Sequence, residues 1–129
     1  MTDTGTPQQP RAVAADRRSV RPEQQTPSIR REEAFSAPDR WIGYVTTQPG
    51  EWSGWHHHGE QDTYFYVMQG GIEFEYGTGR EHVAIDVGEF GYMPHGVIHR
   101  ERTAPGDPTQ AILVRIGPGP SVVNVDGPG

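Results

Sequence analysis

An all-β domain, closing as a double-sheet jelly roll or small barrel, is what three features of this sequence predict. Turn residues are dense, with 17 glycines and 12 prolines among 129 residues. Short runs of β-branched and aromatic side chains lie between them, enough for roughly eight or nine strands at near-regular spacing. No stretch carries the 3.6-residue apolar period of a convincing helix. A strand count of this kind closes most readily into a barrel, because closure removes exposed edges.

Length and composition bound the rest. A chain of 129 residues predicts one domain with one modest core. The formal charge of −6 gives no support for a nucleic-acid partner, which usually meets a basic face. There is no cysteine, so disulfides, thiolate ligands and a cysteine nucleophile are excluded. No apolar run is long enough to span a membrane. The N-terminus lacks the apolar core of a signal peptide, so a cytoplasmic location is expected.

Residues 1–28 are polar and nearly free of large apolar side chains. Such a segment buries too little surface to offset its ordering entropy, and a disordered tail is expected. The barrel domain is expected over residues 29–129. Ile29 to Asp39 reads as a transition, with Phe35 as its anchor to the core. Strands are expected over Trp41–Thr47, Glu51–His58, Thr63–Met68, Ile72–Tyr76, Glu81–Val87, Phe90–Met93, Ile98–Arg102 and Gln110–Ile116. Within Glu81–Val87, Val83 and Ile85 form the expected inward pair. Ser121–Val125 adds an edge strand or drapes over the outside.

The chemistry concentrates in Trp55-His56-His57-His58. In an extended chain alternate side chains share a face, so His56 and His58 point one way and His57 the other. Two imidazoles on one strand face are half of a metal site. His99, on a later strand that closure brings alongside, is the expected third ligand. The competing reading is a barrel kept for packing, with a decayed site.

Two stretches resemble the motifs of the cupin superfamily. Gly50, His56, His58 and Gly70 stand where the first motif has its glycine, paired histidines and closing glycine, with Thr63 at the position of its glutamate. Gly88, Pro94, Gly96 and His99 match the second motif, with Thr103 in place of its asparagine. The resemblance covers residues 50–103. It implies a small single-domain jelly roll that holds a divalent transition metal through His56, His58 and His99. Fe(II) is the first expectation, and Mn, Ni, Co, Cu or Zn would also suit three imidazoles. Either Asp62 or Thr63 remains open as a fourth ligand, with the spacing to Gly70 favouring Thr63 on the inner face.

A three-histidine centre without a carboxylate would carry a full double-positive charge. It would favour a small anionic, chelating organic substrate. The resemblance implies a three-histidine dioxygenase first. Non-redox isomerase, decarboxylase or lyase chemistry comes next, then a non-catalytic small-molecule or metal-binding module. The catalytic group is unassigned, with Asp62, His95 and Tyr64 as candidates. Arg115, Arg100 and Arg102 are candidates to hold a substrate carboxylate, although parity turns Arg100 and Arg102 away from His99. A homodimer is the implied assembly.

Overall fold

Burial along Asp62–Gln69 alternates without a break. Thr63, Phe65 and Val67 are buried, while Tyr64, Tyr66 and Met68 are exposed. That period of two is how a strand places one face on a core and the other in solvent, and it recurs around the molecule. The computed structural model describes residues 9–128. Its strands form two antiparallel sheets packed as a jelly roll. One sheet has the order β1 (Ile29–Ala37), β2 (Arg40–Thr47), β9 (Thr109–Ile116), β4 (Asp62–Gln69) and β7 (Phe90–Met93). The other runs β10 (Val123–Asn124), β3 (His56–His57), β8 (His99–Arg102), β5 (Ile72–Tyr76) and β6 (Glu81–Ile85). No helix among the described residues is long and apolar enough to cross a membrane.

The core lies between the sheets and includes Trp41, Val45, Phe65, Val67, Phe74 and Leu113. Full burial of each such side chain contributes about 1.5–3 kcal/mol. Packing is tight over the first sheet. A Cβ on Gly43 would strike the Trp41 ring and the Glu32 carbonyl, and one on Gly91 would strike the Phe65 ring. The four motif glycines sit in turns with φ of +105° at Gly50, +71° at Gly70, +84° at Gly88 and +73° at Gly96. L-residues with a side chain rarely adopt that conformation.

Four expectations about the elements are corrected. Ile29–Ala37 is not a transition but a full strand, paired with β2 along its length and bulged between Glu33 and Phe35. Phe35 is only half-buried, under the Arg11 guanidinium. The strand expected over Glu51–His58 shrinks to His56–His57, because β8 pairs with it only at His99. Val83 is exposed, since β6 is a sheet edge and leaves only Ile85 packed on the core.

The expected tail divides. Residues 1–8 lie outside the described residues. Residues 9–28, expected to be disordered, lie along the barrel through polar contacts. Ser19 bridges Glu33, and the Gln25 side chain accepts from Arg31 N (2.8 Å) and donates to Arg31 O (3.1 Å). Arg21 Nε and Gln24 Nε2 both donate to Glu33, each at 3.0 Å. The entropy argument counted apolar surface and missed this compensation.

Candidate metal centre

β3 and β8 are brought side by side so that His56 and His99 are direct antiparallel partners. The ring centroids of His56 and His99 are 4.3 Å apart. His58 lies 5.2 Å from His56 and 5.1 Å from His99. One ligand nitrogen from each of the three falls within 4.8 Å of the others. All three residues are buried.

Every Nδ1 has a backbone carbonyl partner: Gly54 O for His56 (2.9 Å), Ser121 O for His58 (2.7 Å) and Val97 O for His99 (2.8 Å). A carbonyl only accepts, so each Nδ1 carries the proton and donates. Each Nε2 is left with a free lone pair, the arrangement that orients histidine ligands on a metal. His56 Nε2 is buried and has no hydrogen-bond partner. An orphaned acceptor of this kind costs free energy unless something occupies the space in front of it. Burial depresses all three imidazole pKa values, that of His99 to about 3. At neutral pH the rings are therefore uncharged, as a metal requires. The donor set fits a divalent transition metal.

Neither Asp62 nor Thr63, the two candidates for a fourth ligand, faces the three histidines with a free donor. Asp62 lies on the outer face, where Oδ1 accepts from His95 N (2.9 Å) and contacts His95 Nδ1 (3.0 Å) and Tyr92 Oη (3.3 Å). Those hydrogen bonds hold its pKa below the usual value. Thr63 is buried and faces inward, but its Oγ1 accepts from Arg115 Nε at 3.2 Å. His95 and Tyr64 are exposed, and Tyr64 stacks on Tyr92 outside the barrel. The three catalytic candidates of the sequence thus sit together on the outer face, away from the three histidines.

Glu101 is the buried acid. Its Oε1 is 3.7 Å from His56 Nε2, and its Oε2 accepts from Thr47 Oγ1 at 3.1 Å. Burial raises its pKa, opposed by Arg31. Parity contained this residue, since position 101 shares a strand face with 99. Arg115 also turns inward, as does Arg31 from the unexpected strand. His57 points away and accepts from Gly59 N at 3.0 Å. Arg100 and Arg102 lie outside with Trp52 and Trp55, whose rings cover and are covered by the guanidiniums.

Between the sheets His58, His99, Glu101, Arg31 and Arg115 line a cavity of about 40 Å³, whose other walls include Val45, Phe65, Phe74 and Leu113. The cupin-domain family model matches residues 43–115, which hold all three histidines and Glu101. The chain belongs to the cupin family. No curated protein matches this cupin. Among solved structures it is similar to the polyketide cyclase RemF from Streptomyces resistomycificus, with TM-score 0.71 and 19% identity over 91% of this chain and 86% of that one. It is also similar to KdgF from Halomonas sp., with TM-score 0.60 and 23% identity over 82% of this chain and 94% of that one. DMSP lyase DddQ from Ruegeria pomeroyi gives TM-score 0.59 and 20% identity over 71% of this chain and 46% of that one. At these identities the likeness is one of fold.

Proposed function

We propose that this cupin is a metal-dependent enzyme that moves a proton on a small anionic, chelating substrate, in lyase, isomerase or cyclase chemistry. The observation that carries this reading is the convergence of three buried imidazoles beside a buried carboxylate, Oε1 of Glu101 standing 3.7 Å from His56 Nε2. His56, His58 and His99 hold the metal, which supplies Lewis-acid polarisation of a substrate oxygen. Glu101 gives or takes the proton at Oε1. Burial keeps its carboxyl protonated to higher pH than usual, the tuning that suits an acid–base group. The apolar walls exclude bulk water. Two of the similar folds belong to proteins named as a cyclase and a lyase, which is consistent with the reading.

A three-histidine dioxygenase is the second reading, favoured by the absence of a carboxylate within the ligand group itself. Metal content of the purified protein, and oxygen uptake during turnover of catechols, diketones and hydroxy acids, separate the two. Turnover without oxygen consumption is expected. Stoichiometric uptake would select the dioxygenase. Bound metal with no turnover anywhere on the panel would reduce the protein to a binding module. A homodimer belongs to the same proposal. Its support is the aromatic outer face of β4 and the edge strand β7, where Tyr66 packs on Phe90, itself 82% exposed. Contiguous apolar surface of that kind marks association sites. Phe90→Glu should turn a dimer into a monomer in sedimentation velocity.

A further inference from the structure

The cavity holds a second set of groups, and it is cationic. Arg31 on β1 and Arg115 on β9 are each 1% exposed, and both line the cavity with His58 and His99. Each guanidinium is pinned on one side. Arg31 Nη1 donates to Gln24 O (2.9 Å) and Thr26 Oγ1 (2.8 Å). Arg115 Nε donates to Thr63 Oγ1 (3.2 Å), and the group lies 4.9 Å from the centre of the Trp41 ring. Each also has a donor to spare, because Arg31 Nε and Arg115 Nη1 are buried with no hydrogen-bond partner.

Only one acid faces this pair. Glu101 is the sole carboxylate lining the cavity among the described residues; it attracts both guanidiniums but accepts from Thr47 and makes no hydrogen bond to either arginine. Two buried guanidiniums against one carboxylate leave an unmatched positive charge. Removing a cation from water costs several kcal/mol unless an anion or full hydrogen bonding compensates. Thr63 sharpens the imbalance. A carboxylate at this position would lie beside Arg115 and neutralise it, whereas a hydroxyl fixes Nε and leaves the charge free.

We propose that Arg31 and Arg115 form a carboxylate-binding clamp, and that the substrate is a short-chain carboxylate with a second oxygen donor. The clamp grips one end of the substrate. The assignment of the other end to the three histidines rests on the metal-centre reading above. Spare guanidinium N–H groups match carboxylate oxygens in both charge and geometry. Size narrows the class further. A cavity of about 40 Å³ is small, which favours a compact 2-oxo or 2-hydroxy acid over a bulky substrate.

The test uses the metal-free full chain, so that a cation at the histidines does not attract the anion. Calorimetric titration with pyruvate is compared with pyruvamide, a neutral molecule of nearly the same shape. Pyruvate should bind at least tenfold more tightly. It should also shift the ¹⁵N–¹H signals of both Arg Nε groups. Arg31→Met and Arg115→Met, checked for native circular dichroism, should each weaken pyruvate at least tenfold. Equal affinity for the two ligands, or a folded variant that binds pyruvate as the wild type does, overturns the clamp. Should neither variant fold, the wild-type pair and the arginine signals still decide. Failure of the metal reading is separately visible: the protein would take up no metal yet still prefer pyruvate.

Discussion

An imidazole has two nitrogens, and here they are given separate tasks by groups that cost the sequence nothing to supply. Backbone carbonyls at Gly54, Val97 and Ser121 fix the protonated Nδ1 atoms, leaving Nε2 for a ligand. Glu101 stands beside that set without joining the ligand group, which separates metal binding from acid–base work. Glu101→Gln should therefore keep its metal content within about twofold and lower kcat/KM by about 10²–10⁴-fold, the usual size of a lost acid–base group. His57→Gln, altering a ring that faces away, should change both by less than about twofold. Metal titration and steady-state kinetics on the two variants check this. A Glu101→Gln protein that loses metal would make Glu101 a ligand instead.

Elements are positioned by turns as much as by strands. At Gly88, φ is +84° and a Cβ would meet nothing within 4 Å, so substitution there tests backbone strain alone. Gly88→Ala should cost about 1–2 kcal/mol, the penalty for placing an L-residue in the left-handed region. Urea unfolding of the variant measures it, and an unchanged midpoint would remove the turn argument. The parity that assigns His56, His58 and His99 to one face was legible because each lies on a segment with plain alternation and a flanking glycine. Glu101 is equally legible by the same parity, although the cupin motif directs attention to positions 62 and 63 instead. Arg31 was not legible. Ile29-Arg-Arg-Glu-Glu reads as part of a transition, because its inward positions 31 and 33 are charged. They are tolerated because Gln24, Gln25, Thr26 and Arg21 reach in from the preceding segment to bond them. The composition of the strand alone carries no trace of that pairing with the preceding segment. β3 was overestimated for the opposite reason, since Glu51–Trp55 has strand-like side chains but no neighbour in register.

At the scale of the whole molecule, the site is stored instability. Three imidazoles, two guanidiniums and a carboxyl sit where an apolar core would otherwise continue, so the fold and its ligand are linked. A metal that binds only the folded chain adds RT ln(1 + [M]/Kd), about 4 kcal/mol at a thousandfold excess over Kd, and chelation should lower Tm accordingly. The metal-free protein should then show a pH dependence whose sign follows from the histidines. Burial depresses their folded-state pKa values below 6.5, to about 3 for His99. Between those limits the unfolded chain binds more protons than the folded one, so unfolding becomes easier as pH falls. The buried rings' contribution to stability is full well above pH 6.5 and declines below it, by up to about 1.4 kcal/mol per pH unit for each ring. Urea unfolding in EDTA at pH 7.5, 6.5 and 5.5 measures the slope. His99→Gln should remove about one proton from it. The slope is opposed only by groups whose protonation folding favours, such as Glu101 and the exposed His82 between Glu73 and Glu75, whose pKa values are raised. His82 acts mainly above pH 6.5, where its contribution fades as pH rises through its folded-state value, and Glu101 subtracts at most one proton from three. A profile flat from pH 7.5 to 5.5 would mean that the three rings are not held neutral in a closed interior, and the metal-centre reading would fall with them.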